Sequence, residues 1–290
     1  MDPIEKLQRC LEMSGLKEET CQGYTYKINI FLRTINKETN EITLDDILEY
    51  LRHLRYVKEY CIGTVNSYRN AIKYFYEVVL EKQWINKKIP HLKGYNPLPS
   101  VLSKEEVINF IELMPKEIYK VMLYTMYSSG LRVGEVVALK VKDIDSTRMQ
   151  IYIAKGKNGS ARYSILSQRN LKMLRYHVLQ YKNKYGYKFL PDDYLFPSNN
   201  NETGHITKKT IKNNITKVVN KCCFTKRITS HSLRHAFAAH MLEAGTDIYV
   251  IKELLGHKSI QSTNIYLHMA SSSLMNVKSP FDGCMKSWVI

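Results

Sequence analysis

The stretch at residues 231–268, HSLRHAFAAHMLEAGTDIYVIKELLGHKSIQSTNIYLH, decides how the rest of the chain is interpreted. His231 and Arg234 lie three residues apart, and this spacing puts both side chains on one face of a helix. Ser230 or Thr229 can cap that helix at its N-terminus, where the helix dipole favours an anion. A core histidine beside a surface arginine is the alternative interpretation, and the pair alone does not separate the two.

The second half of the same stretch predicts two more helices and a tyrosine. Residues 244–247, AGTD, end the first helix and cap the next one, and Gly256 ends that second helix. His257 is then expected on a short turn, and Ser259 starts a last short helix that carries Tyr266. The chain contains 21 tyrosines, so Tyr266 is distinguished only by its neighbours.

An arginine box stands earlier in the chain, at residues 128–135, SSGLRVGE. Arg132 precedes Glu135 by three residues, so the two side chains share a helix face and the carboxylate can hold the guanidinium in one orientation. The alternative interpretation is an ordinary surface ion pair, which contributes little to stability.

A β-hairpin is predicted between these two boxes. Residues 149–154, MQIYIA, and 162–166, RYSIL, alternate as strands do. The intervening KGKNGSA contains an Asn-Gly pair, which is a strong signal for a tight turn. This hairpin carries Lys155 and Lys157 near its tip.

The boxes and the hairpin together supply two arginines, two histidines, a lysine and a tyrosine, a set that suits phosphoryl transfer to a tyrosine hydroxyl. Two guanidiniums can clamp the nonbridging phosphate oxygens, and a lysine can protonate a leaving 5′ oxygen. A histidine can accept the tyrosine proton or donate to the phosphate. This chemistry needs no metal, nucleotide or other cofactor. Two further histidines, His235 and His240, are interpreted as structural or incidental.

The charge indicates a polyanionic partner. The 290 residues include 43 Lys and Arg against 27 Asp and Glu, a net charge of +16. Residues 1–90 carry only +1 of this, and residues 91–290 carry +15. Neutralising phosphates releases counterions and adds affinity, so the surplus favours nucleic acid. The alternative is a solvated basic surface without a specific partner.

Two domains are expected. Residues 1–90 predict an all-helical domain, and residues 91–100, HLKGYNPLPS, predict an extended linker because proline and glycine disfavour helix. Residues 101–290 predict a second domain that is mostly helical. The fold class is therefore mainly α with a small antiparallel β-sheet.

Several helix starts can be read from capping residues. Thr43 begins a capping box that opens a helix over residues 45–54, and Ser103 begins another at the start of the second domain. Thr64 is expected to cap a third helix.

Other classes of protein are disfavoured by composition. Six cysteines occur without a CxxC pair or zinc-finger spacing, so reduced thiols are expected and no metal site is predicted. No stretch approaches the roughly 20 apolar residues of a membrane helix, and the first ten residues lack the apolar core of a secretory signal. A cytoplasmic protein without a membrane partner is expected.

The motifs resemble those of the tyrosine recombinase (phage integrase) family, close to its Xer-like branch. Residues 231–268 are similar to the family signature, and residues 128–145, SSGLRVGEVVALKVKDID, are similar to its first arginine box. The resemblance covers residues 101–282 strongly and the N-terminal region more weakly. It implies a helical, SAM-like core-binding domain that binds DNA, followed by a helical catalytic domain.

The resemblance also implies a role for each matched residue. Arg132 and Arg234 bind the scissile phosphate, and Lys155 acts as general acid. His231 transfers a proton or donates a hydrogen bond, and His257 contacts the phosphate. Tyr266 is the nucleophile, and Glu135 supports the site. Lys155 is preferred to Lys157 because it directly follows the strand and precedes glycine. Ala236 replaces a frequent threonine, which affects no catalytic position.

The resemblance implies a site-specific recombinase that cuts and rejoins duplex DNA through a 3′-phosphotyrosyl intermediate. Its partners would be double-stranded DNA with a specific recombination site and three further copies of the chain, in a homotetramer. The tail at residues 271–290 can dock on a neighbouring protomer or pack on its own domain. Integration, excision or transposition of a mobile element and dimer resolution all remain open. A type IB topoisomerase and a non-catalytic basic regulator are the alternative functions.

Overall fold

The computed structural model describes residues 2–94, 100–154, 161–198, 203–222, 224, 226 and 228–267. The chain divides into two units, Met1–Asn96 and Pro97–Ile290, and each is described by itself. The predicted linker at residues 91–100 lies partly outside the described residues and stays a prediction.

The first unit is helical. Its helices are α1 (Pro3–Met13), α2 (Glu18–Ile35), α3 (Leu44–Arg52) and α4 (Ile62–Tyr74). The helices α3 and α4 each widen into a π-helical turn at their ends, over His53–Val57 and Phe75–Val79. The helices enclose an apolar core, whose fully buried members include Leu7, Ile28, Phe31, Ile47, Ile72 and Phe75.

The helix starts of this unit test the capping predictions. The capping box at Thr43 is confirmed: its hydroxyl accepts from the Asp46 amide at 3.2 Å, and the Asp46 carboxylate accepts from the Thr43 amide at 3.0 Å. The predicted cap at Thr64 is wrong, because α4 already begins at Ile62 with Cys61 as its N-cap. The carbonyl of Cys61 accepts from the Thr64 amide at 2.9 Å, so Thr64 lies inside the first turn.

The second unit contains eight helices and three strands among its described residues. The helices are α5 (Lys104–Glu112), α6 (Glu117–Ser129), α7 (Val133–Val137), α8 (Gln168–Tyr185), α9 (Lys208–Lys221), α10 (Ser230–Glu243), α11 (Ile248–Leu255) and α12 (Gln261–Asn264). A short 3₁₀ turn, Val141–Asp143, precedes the strands. The capping box at Ser103 is confirmed, with Glu106 as its reciprocal partner.

The three strands form one antiparallel sheet in the order β1 (Ile144–Asp145), β2 (Gln150–Ile153) and β3 (Arg162–Ile165). In the β2–β3 ladder Ile153 lies opposite Arg162. The predicted strands are therefore confirmed to within a residue or two, whereas the turn and its two lysines lie outside the described residues. The predicted fold class, mainly α with a small antiparallel sheet, is confirmed.

The core of the second unit lies between α6, α8 and α10 and continues under the sheet. Its fully buried members include Phe110, Leu123, Val136, Ile151, Phe196 and Leu233. A smaller apolar cluster surrounds the end of α11 and joins Phe237, Ile251, Leu255 and Tyr266. Across the described residues, the helices are too short or too polar to cross a membrane.

Candidate active site

The centre of the site is Arg234, which α10 carries into the protein interior. Its side chain is 4% exposed. One guanidinium nitrogen donates to the Gly130 carbonyl at 2.6 Å and the other donates to the Leu255 carbonyl. These carbonyls stand at the ends of α6 and α11, where the negative ends of the helix dipoles favour a cation. Two helix ends therefore fix the plane of this guanidinium.

The end of α6 requires glycine. Gly130 has a φ of +63°, in the left-handed region that glycine adopts without strain. A Cβ at this position would also lie 2.5 Å from Cδ1 of Phe237. The close approach of α6 and α10 at Gly130 is what allows Arg234 to reach its carbonyl.

Arg132 and Glu135 open the next helix, α7. The Glu135 carboxylate accepts from the Arg132 amide at 2.8 Å and from its guanidinium at 2.8 Å. The carboxylate side chain is 4% exposed and the Arg132 side chain is 19% exposed. The alternative interpretation as an ordinary surface ion pair is therefore wrong.

Arg162, at the start of β3, is a member of the site that the sequence reasoning missed. Its guanidinium donates to both Glu135 oxygens, at 2.9 and 2.8 Å, and its Nε donates to the Leu254 carbonyl at 2.9 Å. The alternation of β3 could have indicated that Arg162 belongs to the site. Arg162 shares a face of β3 with Ser164, which is buried, and a cation on the buried face of a strand needs a buried partner.

Three arginines therefore surround one carboxylate, since Arg234 also lies 4.0 Å from Glu135. Burial by itself raises the pKa of Glu135, but the hydrogen bonds and charges of Arg162 and then Arg132 outweigh it and lower the pKa to about 2. The carboxylate is thus ionised at neutral pH. The cluster keeps a surplus of positive charge, which suits an anionic ligand.

Arg234 also stays charged. Burial lowers its pKa to about 9, with a further contribution from the charge of Arg132, and Glu135 acts in the opposite direction. This value is well above neutral, so a guanidinium with five N–H donors is present at physiological pH.

His257 follows the end of α11, as the sequence predicted. Gly256 ends that helix with a φ of +65°, and the next residue turns towards α12. Nδ1 of His257 lies 2.9 Å from Oγ1 of the fully buried Thr263. Burial, followed by the charges of Arg234 and Arg132, lowers the pKa of His257 to about 4, so this imidazole is neutral at pH 7.

Tyr266 lies two residues after α12 and packs into the small apolar cluster of the second unit. The residue is 2% exposed, and its amide donates to the Thr263 carbonyl at 2.9 Å. Its phenol oxygen lies 3.0 Å from Nδ1 of His235. Burial raises the pKa of Tyr266, and the charges of Arg234 and Arg132 partly oppose this rise. The phenol is therefore within electrostatic reach of both guanidiniums.

His235 is the second residue that the sequence reasoning missed, because it was interpreted as structural or incidental. It lies on α10, one residue after Arg234, and contacts the phenol oxygen of Tyr266. His240, further along α10, instead contacts Tyr127 on α6 at 2.8 Å. The sequence does not distinguish these two histidines, because each tyrosine reaches α10 through the tertiary fold.

Of the remaining predicted site residues, one is exposed and the lysines lie outside the described residues. His231 lies in the first turn of α10 with an exposed side chain, and its charge acts on His235. Lys155 and its alternative Lys157 both lie outside the described residues. In the described part of the chain, no three His, Cys, Asp or Glu side chains are placed to hold a metal ion.

The fold and the site define a class of protein: a basic, mainly helical protein that brings a tyrosine to a buried arginine cluster suited to a phosphate. Comparison with known proteins gives the family. The model of the phage integrase family matches residues 100–273, and the model of the phage integrase N-terminal SAM-like domain matches residues 4–86. The chain belongs to the phage integrase family.

Individual relatives narrow this to a branch. The chain is 30% identical to the tyrosine recombinase XerA of Pyrococcus furiosus, over 93% of this chain and 91% of the relative. It is 30% identical to the tyrosine recombinase XerD of Rickettsia bellii, over 73% and 81% of the two chains. A crystal structure of XerA recombinase matches with a TM-score of 0.53 and 28% identity, over 94% and 95% of the chains. The chain is a tyrosine recombinase of the Xer-like branch.

Proposed function

We propose that this recombinase cuts and rejoins duplex DNA through a covalent bond between Tyr266 and a DNA 3′ phosphate. The phenol oxygen attacks the phosphorus, and the bond to the 5′ oxygen breaks. The phosphotyrosyl bond conserves the energy of the phosphodiester, so a partner strand's 5′ hydroxyl can rejoin the DNA without ATP. The hydrogen bond of the buried Tyr266 to His235, on the helix that carries Arg234, and the electrostatic influence of Arg234 and Arg132 on the phenol support this proposal most directly.

The arginines bind the scissile phosphate in this proposal. Arg132 and Arg234 donate to its nonbridging oxygens and stabilise the negative charge of the transition state. The contacts of Arg234 with two carbonyls, and of Arg132 with Glu135, support a preorganised clamp. Glu135 acts as a support, because it accepts hydrogen bonds from Arg132 and Arg162 and orients both guanidiniums.

The other predicted residues complete the reaction. Lys155 protonates the leaving 5′ oxygen as general acid. His231, in the first turn of α10, transfers a proton or donates a hydrogen bond to the phosphate, and His257 contacts the same phosphate. The neutral state of His257 at pH 7 fits a hydrogen-bonding role.

The assembly follows from the reaction. Exchange between two duplexes needs four strand cuts, which fits a homotetramer on two copies of a specific site. Residues 271–290 would either dock on a neighbouring protomer in that assembly or pack on their own domain. The protein would act on DNA in the cytoplasm, in the integration, excision or transposition of a mobile element or in dimer resolution.

Trapping on a nicked suicide duplex tests the chemistry. We expect wild-type protein to form a covalent adduct in the presence of a chelator and without a nucleotide, and Tyr266→Phe to form none while still folding and binding DNA. Tyr249→Phe is the matched control, because Tyr249 is exposed on the nearby α11 and should leave the adduct unchanged. Adduct formation by Tyr266→Phe would contradict the proposal. Relaxation of supercoiled DNA lacking a specific site would favour a topoisomerase instead.

A further inference from the structure

Two histidines of α10 each contact a tyrosine through Nδ1, at similar distances but with different angles between the ring planes, 51° for His235 and 88° for His240. His235 lies 3.0 Å from the Tyr266 phenol oxygen, with ring centroids 5.7 Å apart. His240 lies 2.8 Å from the Tyr127 phenol oxygen, with centroids 5.8 Å apart. Only the first of these contacts involves the tyrosine of the arginine cluster.

The phenol proton of Tyr266 must leave when its oxygen bonds to phosphorus. Burial raises the pKa of this phenol, so it carries its proton at neutral pH. A neutral phenol is a weak nucleophile and is activated by a base within hydrogen-bond reach, about 2.6–3.2 Å. The imidazole of His235 lies within that range, on the same helix as Arg234.

We propose that His235 is a catalytic residue that accepts the phenol proton of Tyr266, an inference that rests on the proposed function. With the imidazole proton on Nε2, Nδ1 accepts the phenol hydrogen bond. As the bond between the tyrosine oxygen and phosphorus forms and the bond to the 5′ oxygen breaks, the proton passes to Nδ1. The 5′ oxygen takes its proton from the general acid. In rejoining, the imidazolium returns its proton to the tyrosine oxygen.

The surroundings of His235 suit this role. Burial, then the charges of His231 and Arg234 on α10, lower the pKa of His235 to about 4, so the imidazole is neutral and can accept a proton at pH 7. From the C-terminal segment, Tyr266 contacts it and His257 interacts with it electrostatically. A DNA phosphodiester bound beside Arg234 would favour the imidazolium, because its negative charge stabilises the positive one.

Two substitutions separate proton transfer from simple positioning. His235→Asn keeps an acceptor oxygen near the position of Nδ1 but is no base, whereas His235→Ala removes the contact. We expect both variants to cleave the nicked duplex about 10²-fold more slowly than wild type in single turnover. We also expect the rate of wild type to fall on the acid side as His235 becomes protonated, and both variants to lose this fall. His240→Asn is the matched control and should keep the wild-type rate and pH profile.

The contrary results are distinct. A wild-type rate in His235→Asn, with only His235→Ala impaired, would show that His235 merely positions the phenol and would overturn the inference. If His231→Asn lost the decrease in cleavage rate at acid pH, the inference would also be overturned; if it kept that decrease, the inference would be supported. Because His231 is exposed, this variant remains available if both His235 variants misfold. Absence of any wild-type adduct would instead contradict the proposed function itself.

Discussion

Arg69 in the first unit and Arg234 in the second are both buried, and both donate to backbone carbonyls. Arg69 donates through Nε and Nη2 to the Ile89 carbonyl, at 3.0 and 2.8 Å, and its guanidinium lies 5.3 Å from the Trp84 ring centroid. Arg234 donates to carbonyls at two helix ends. Burial and hydrogen bonds to backbone carbonyls therefore do not distinguish them.

Their neighbours do distinguish them. The contacts of Arg69 tie α4 to the segment that follows it, through Ile89 and the Asn86 side chain at 3.0 Å. Arg234 instead lies among like charges, next to Arg132, and is coupled electrostatically to Tyr266. Clustering cations costs free energy unless an anion offsets it. We infer that Arg69 stabilises the fold and that Arg234 serves a ligand.

The largest effect is expected from Arg234→Lys. A lysine keeps the charge but not the planar fork that binds two phosphate oxygens. We expect the single-turnover cleavage rate to fall by about 10³-fold or more, since removal of one transition-state donor typically costs 10²–10³-fold and an arginine finger contributes 10³–10⁵-fold. Folding, followed by circular dichroism, should persist. Cleavage at a near wild-type rate would show that Arg234, like Arg69, stabilises the fold and does not serve the reaction.

Glu135→Gln should have the next largest effect. The amide keeps the shape of the side chain but leaves Arg132 and Arg162 without their counter-charge. We expect cleavage to fall by about 10²-fold, the order that loss of a supporting contact to a functional group produces. A variant with normal cleavage and normal DNA affinity would contradict the supporting role.

The pH dependence of unfolding provides the control for Glu135. Its pKa is lowered to about 2 in the folded chain, so the stabilisation is complete above the unfolded value near 4.3 and is lost as pH falls through the folded value. Wild type should therefore lose stability between about pH 4.5 and 2, and Glu135→Gln should lose less over that range. Thermal melts at several pH values measure this difference.

Sequence reasoning recovered the features whose causes are local. The caps at Thr43 and Ser103 and the glycine that ends α11 all depend on neighbours within a few residues. Arg162 and His235 were missed because their partners lie 27 and 31 residues away and meet them only in the folded chain. The cap at Thr64 failed because nearby backbone geometry, and not a favourable side chain, starts α4.

Arg69→Met tests the other half of the comparison. Methionine keeps most of the apolar stem but leaves the Ile89 carbonyl and the Asn86 side chain without their donor. We expect the free energy of unfolding of the first unit to fall by about 2 kcal/mol, within the usual cost of an unsatisfied buried group. The chemical step on a saturating suicide duplex should be unchanged. Urea denaturation and single-turnover cleavage measure the two quantities, and slower chemistry with unchanged stability would reverse the roles of the two arginines.

The smallest effects are expected from two equivalent caps, one in each unit. Thr43→Ala and Ser103→Ala each remove a hydroxyl that accepts an amide hydrogen bond at 3.2 Å in a capping box. Each should lower the free energy of unfolding by about 1 kcal/mol. Each hydroxyl bonds within the start of its own helix, so cleavage should be unaffected in both. If Ser103→Ala alone slowed cleavage, the position of α5 would matter to the site. The contrast between the two units would then extend beyond the arginines.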